Sequence, residues 1–188
     1  MLRIDEGFLD GLMEKARSQG ATYADVRAES YTAEGAYSEN GAIKSLFRGA
    51  GTSIGIRALA GGTWGFSSTD LCSQSELRTR AGDCLQRAVN AARAASCFEP
   101  VELASVRPAR TRILYSRKVR VPMEDKMELC VRLTKTMKEV PGVVLATSNI
   151  NLTESEKHFA STEGANIMEE VFHVGGWLFC SATADVSG

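Results

Sequence analysis

The chain has 188 residues, 44% of them apolar and 24% charged, which is enough to bury a core as one domain or two small halves. With 22 basic residues against 23 acidic ones, the formal charge is −1, so no overall field draws the protein toward nucleic acid, a membrane surface or an acidic substrate. Cys72, Cys84, Cys97, Cys130 and Cys180 are scattered and contain no C-x-x-C pair, arguing against a disulfide framework or a zinc knuckle. The start turns acidic at Asp5 and Glu6, and no run approaches the ~18 apolar residues of a membrane span, so a cytoplasmic protein is expected.

Asp5 can cap a first helix whose residues Phe8, Leu9, Leu12, Met13 and Ala16 share one face, with Gly20 placed as a left-handed stop. From Tyr23 to Thr32 the period becomes two, setting Ala24, Val26, Ala28 and Ser30 against Asp25, Arg27, Glu29 and Tyr31, the pattern of a half-buried strand. Glu39-Asn40-Gly41 is a turn signal. Residues 43–47 and then Thr52, Ile54, Ile56 and Ala58 read as two further strands separated by Gly49-Ala50-Gly51. Gly61-Gly62 leads into a short strand, Thr63 to Thr69.

Ser73-Gln74-Ser75-Glu76 has the form of a capping box, opening a helix that runs to about Ser96 with Leu77, Ala81, Cys84, Leu85, Ala88, Ala92 and Ala95 on an alanine-rich face. Residues 97–121, with Pro100 and Pro108, read as a connector that includes a short strand at 113–115. Pro122 opens a third helix with Glu124 and Asp125 in its first turn and Lys135 and Lys138 near its end, stopped by Pro141-Gly142. Four alternating runs follow, 143–153, 155–161, 166–174 and 177–186.

Gly20 and Gly41 lie 21 residues apart, Gly142 and Gly164 lie 22 apart, and Ser38-Glu39-Asn40-Gly41-Ala42 resembles Ser161-Thr162-Glu163-Gly164-Ala165. This suggests an internal repeat of helix plus four-strand meander, units 1–69 and 122–188, joined by the helix at 73–96 and the connector at 97–121. Chance clustering of helix and hairpin lengths would give a similar spacing. Either way the fold class is α+β, antiparallel sheets with segregated helices.

The order Ala24-Asp25-Val26-Arg27, then Gly55-Ile56-Arg57, then Gly61-Gly62-Thr63-Trp64-Gly65-Phe66-Ser67-Ser68-Thr69 and an alanine-rich helix resembles the TldD/PmbA family. Its members are described as modulators of DNA gyrase and as metallopeptidases. The resemblance covers most of the chain and implies the family's N-terminal, non-catalytic α+β domain. The metal site, an H-E-x-x-x-H motif with a further cysteine ligand, is implied to lie in a C-terminal domain absent from this chain. His158 and His173 stand fifteen residues apart, and neither is followed by glutamate in the family's pattern, so no catalytic or metal residue is carried over. Zinc is implied only for the full-length family.

Glycines and hydroxyls cluster at Gly61 to Thr69, yet the block has neither a P-loop lysine nor G-x-G-x-x-G before a helix. Two readings stay open. Arg57, Gly61, Gly62, Trp64, Gly65 and Phe66 contact an extended peptide by strand addition, with Arg57 anchoring a carboxylate; or Gly61-Gly62 is simply a tight turn and the aromatics belong to a core or domain interface. A hairpin centred on Gly164 would bring His158 toward Glu170 and His173 toward Ser155, which is too few ligands for zinc. Residues 107–120 carry six basic side chains and no acid, but with only Tyr115 for stacking, nucleic acid is not an expected partner.

The function expected from the resemblance is a scaffold and substrate-cleft domain of a metal-dependent peptidase acting on peptides or unfolded proteins. Its implied partners are the C-terminal domain or a separate catalytic subunit, in a homo- or hetero-dimer. The alternative is a stand-alone binding or regulatory module, for a partner protein or DNA, without catalysis.

Overall fold

The computed structural model describes residues 4–71, 73, 75–95, 99–114 and 120–183. In chain order the elements are α1 (Glu6–Ser18), β1 (Tyr23–Glu39), β2 (Ala42–Ala60), β3 (Thr63–Asp70), α2 (Leu77–Ala94), β4 (Arg110–Leu114), α3 (Met123–Lys138), β5 (Val143–Ser161) and β6 (Asn166–Ala182). The strands form one sheet in the order β3-β2-β1-β5-β6-β4. Backbone bonds from Thr162 N–H to the Ala24 carbonyl and from Asn40 N–H to the Ala146 carbonyl run β1 and β5 antiparallel. β4 alone lies parallel to its neighbour, Arg110 facing Asn166 and Leu114 facing Glu170. The α+β class is the one expected.

The helices form where their end signals stand. The Asp5 carboxylate accepts from Phe8 N–H at 2.8 Å, and Gly20 takes φ +78° after the last turn of α1. α3 starts after Pro122 with Glu124 and Asp125 in its first turn and Lys135 and Lys138 in its last, as the helix dipole favours. In α2 the expected capping box does not set the start. Glu76 is itself the N-cap without a side-chain bond, while Ser73 bonds the Ser75 hydroxyl, so the helix begins at Leu77.

The strand count differs from the helix-plus-four-strand expectation. α1 is followed by β1, β2 and β3, and α3 by only two long strands. Gly49-Ala50-Gly51, expected to separate two strands, and Gly175-Gly176, between the expected runs 166–174 and 177–186, lie inside continuous strands, where Gly51 and Gly176 serve close approach. A Cβ on Gly51 would meet the Tyr31 ring at 2.8 Å, and one on Gly176 would meet the Asn149 carbonyl oxygen at 2.6 Å. The true two-residue turns have both central residues at positive φ: Asn40-Gly41 (48° and 80°) and Gly61-Gly62 (62° and 80°), as tight hairpins require.

The chain divides into two compact units. The first comprises residues 1–31, 50–115 and 155–171; the second comprises 32–49, 116–154 and 172–188. The first unit holds an apolar core in which Leu9, Leu12, Met13 and Ala16 of α1 and Ala81, Leu85, Ala88 and Val89 of α2 pack with Ala24, Val26, Ile54, Ile56 and Ala58 of the sheet. Within this unit Ala24, Val26 and Ala28 of β1 and Ile54, Ile56 and Ala58 of β2 point to these helices, while Arg27, Gly55 and Arg57 line the opposite, open face. The core of the second unit is more polar. Thr134 on α3 accepts from Gly41 N–H at 3.1 Å and bonds the Ser38 hydroxyl at 3.0 Å, Ser148 donates to the Cys130 carbonyl, and fully buried Lys126 pairs with Glu34. Glu34 also takes Arg48 at 3.0 Å. The hydrogen bond from Lys126, then that from Arg48, holds its carboxyl below the usual glutamate range.

Candidate functional site

The open face of the first unit carries a groove of about 1020 Å³ whose lining includes Asp25, Arg27, Gly55, Arg57, Phe66 and Phe159. Register places these groups. β2 and β3 pair antiparallel with Arg57 opposite Phe66, Gly55 opposite Ser68 and Ser53 opposite Asp70, so the odd residues of β2 share a face with the even residues of β3.

Arg57 is bonded to Asp25 across β1 and β2. Its Nε donates to Asp25 Oδ1 at 3.2 Å and Oδ2 at 3.1 Å, and Nη2 donates to Asp25 Oδ2 at 2.5 Å. Asp25 is 1% exposed and Arg57 42%. The guanidinium also lies 5.2 Å from the centre of the Trp64 ring, and Trp64 meets Tyr23 edge-on at 5.7 Å. The Tyr23 hydroxyl donates to Asp25 Oδ2 at 3.2 Å. Burial, then the neighbouring Asp25 charge, pushes the Tyr23 phenol up to about 12. Hydrogen bonding to Asp25 raises the Arg57 guanidinium above its ordinary value. At neutral pH the phenol is therefore neutral and the guanidinium a permanent cation.

The sequence-selected residues fall into two sets. Arg57, Trp64 and Phe66 stand on the open face, with Phe66 the most exposed of them at 63%. Gly61 and Gly62 make the turn before β3, where Gly62 also lies against Pro100 and its carbonyl accepts from Val101 N–H at 2.9 Å. Gly65 points the other way: a Cβ there would run into the backbone of Ala88 and Ala92, so this glycine is where β3 touches α2. Thr63, on the same side, donates its hydroxyl to the Ala92 carbonyl.

Sequence reasoning missed Asp25 as the partner of Arg57 and missed Arg27, whose guanidinium sits 5.5 Å from the centre of the Phe159 ring. A signal existed, since Asp25, Arg27 and Glu29 alternate along one strand face, but their partners lie some 30 and 130 residues away in the chain.

The two histidines do not build a metal centre. Buried His158 contacts Glu156 Oε1 through Nε2 at 2.7 Å, whereas Glu170, its expected neighbour, pairs with Arg112. Among the described residues no group of three or more His, Cys, Asp or Glu could hold a metal ion, so these residues do not fit a zinc site. Cys84 and Cys130 are buried free thiols and Cys180 an exposed one; Cys72 and Cys97 lie outside the described residues. In the basic connector, Arg110 pairs with Asp10 at 3.1 Å and Arg112 with Glu170, while residues 115–119 lie outside the described residues. No described helix is long and apolar enough to cross a membrane.

Comparison with known proteins converges on one group. The family described as PmbA/TldA metallopeptidase domain 1 matches residues 24–96, which span β1 through α2 and include the whole Arg57 to Phe66 cluster. A protein of Methanothermobacter thermautotrophicus named as a metalloprotease is 29% identical over 191 residues, covering 100% of this chain and 39% of the relative. A Bacteroides thetaiotaomicron structure described as a candidate modulator of DNA gyrase superposes with TM-score 0.74 at 14% identity, over 97% of this chain and 42% of that one. TldE from Thermococcus kodakarensis superposes with TM-score 0.68 at 13% identity, over 95% and 40%. The chain thus spans about two fifths of the length of the relatives it matches. Residues 24–96 are thus similar to PmbA/TldA metallopeptidase domain 1, and nearly the whole chain shares the fold of the two matched structures.

Proposed function

We propose that this chain is the scaffold and substrate-cleft domain of a cytoplasmic metal-dependent peptidase acting on peptides or unfolded proteins. The metal, zinc by expectation, and the hydrolytic groups belong to a C-terminal domain or to a separate catalytic subunit, in a homo- or hetero-dimer. The carrying observation is the groove on the open face, with Phe66 on its wall, Arg57 held in place beside it, and backbone-tight support from α2 beneath Gly65. An extended peptide laid along β2 and β3 finds an apolar ring to rest on and donors that need no reorganisation.

The test has two arms. Titration of the chain with an unstructured fluorescent peptide should show saturable binding that Phe66→Ala weakens. Incubation of the same chain with zinc and an unfolded protein substrate should give no cleavage until the metal-bearing part is supplied. Metal-dependent cleavage by this chain alone, or absence of peptide binding, would overturn the assignment.

A further inference from the structure

We infer that the Asp25–Arg57 pair is an anchor for the C-terminal carboxylate of a bound peptide, so that the groove reads a chain end as well as an extended backbone. The inference rests on the peptide-contact reading above and adds the group recognised and the direction of the chain.

A guanidinium has five N–H donors in a planar fork. Asp25 takes the side-on edge through Nε and Nη2. Among the described residues nothing is bonded to Nη1, so the end-on edge, Nη1–H together with the outer Nη2–H, is left for a second acceptor on a side chain that is 42% exposed. That edge matches a carboxylate, which takes two parallel N–H···O bonds in one plane. Buried Asp25 on one side and the Trp64 ring on another hold the plane, so the fork loses little rotamer freedom when a ligand binds.

A second cation lines the same groove. Arg27 is exposed, lies over Phe159, and pairs with no carboxylate among the described residues. Glu29, by contrast, faces Lys157 at 3.9 Å, and Asp25 is occupied by Arg57. Two further acids, Asp70 and Glu169, also line the groove. Asp70 sits four residues beyond Phe66 on β3, about 13 Å along the strand. The groove therefore has the open guanidinium edge of Arg57 at one position and an acidic side chain some four extended residues away. A peptide with its terminal carboxylate on Arg57 and its last side chain on Phe66 runs toward Asp70.

The experiment compares two ten-residue unstructured peptides of one sequence ending in leucine, one with a free C-terminal carboxylate and one amidated, by calorimetric titration into the chain. The carboxylate form should bind about tenfold more tightly, as for a charge-assisted pair at a half-exposed site. Arg57→Gln should bring that ratio to near one. Because Arg57→Gln leaves buried Asp25 without its cation, Asp25→Asn/Arg57→Gln, which removes both charges together, is measured beside it and should also give a ratio near one. Equal binding of the two peptides to the unaltered chain overturns the anchor and leaves the peptide groove standing. Binding of neither overturns both. A ratio that survives in the double variant places the carboxylate elsewhere and also overturns the anchor.

Discussion

Replacing Gly65 by alanine is the sharpest test of how β3 is held. The added methyl would lie within 3.0 Å of the Ala88 and Ala92 backbone, a distance real Cβ atoms essentially never show, and even the Ala88 carbonyl carbon is only 3.1 Å away. Neither atom belongs to a side chain that can rotate aside, so α2 must recede or β3 must bend. Recession lifts Leu85, Ala88, Val89 and Ala92, all 0% exposed, from the sheet. A radial gap of ~0.5–1 Å forfeits a quarter to a half of each dispersion contact. Inserting one carbon into a packed interface costs about 1–3 kcal/mol, and a site walled by backbone belongs at the top of that range, about 3 kcal/mol. At about 2–4 °C per kcal/mol for a chain of this size, the midpoint should fall by roughly 6–12 °C. Gly61→Ala is the control: Gly61 has φ +62° but nothing within 4 Å of where its methyl would stand, so only the left-handed backbone penalty of about 1 kcal/mol remains. Urea denaturation of both variants decides the matter. A Gly65→Ala protein within ~0.5 kcal/mol of the parent, or one no weaker than Gly61→Ala, would refute the helix-contact role.

Other expectations follow from the buried polar groups. In the second unit, Glu34→Ala strands Lys126 in the core and should cost about 3–5 kcal/mol, whereas Lys126→Met leaves partly exposed Glu34 with Arg48 and should cost far less; equal losses in urea melts would contradict the asymmetry. Because Glu34 is held below the ordinary glutamate value, its contribution is complete at neutral pH and is lost as pH falls below about 4, so the gap between the parent and Glu34→Gln should narrow there. Thr134→Val removes the acceptor of Gly41 N–H and the partner of Ser38, and should lower stability by about 1–3 kcal/mol without altering the m-value. Ultraviolet titration of Tyr23 should give a value near 12 in the parent. Asp25→Asn should lower it only in part, since burial is the larger cause; a full return to ~10 would make Asp25 the sole cause.

What could be read from the chain follows the range of the interaction. Asp5, Gly20, Pro122 and Gly142 act within a few residues, so α1 and α3 end where local chemistry puts them. Asn40-Gly41 and Gly61-Gly62 likewise announce their turns. Gly51 and Gly176 mislead because a glycine that admits a neighbouring ring or carbonyl looks, in one dimension, like a glycine that turns the chain. For the candidate site, the glycine-rich block from Gly61 to Thr69 and the strand before it put Arg57, Trp64 and Phe66 in view. The bond of Arg57 to Asp25 depends on how β1 and β2 align, and the burial of Gly65 depends on which face α2 covers. Neither follows from spacing within a single strand.

The contact of Gly65 with α2 also bears on association kinetics. A strand seated on a helix at backbone distance cannot sample alternative curvatures, so the floor beneath Phe66 and Arg57 has its shape before any ligand arrives. The conformational entropy lost on association then falls on the incoming chain alone. On the peptide-cleft reading proposed above, such a groove would discriminate by the flexibility of what enters: a segment that becomes extended at small cost would be accepted, and one locked in helix or tertiary structure refused without a single repulsive contact.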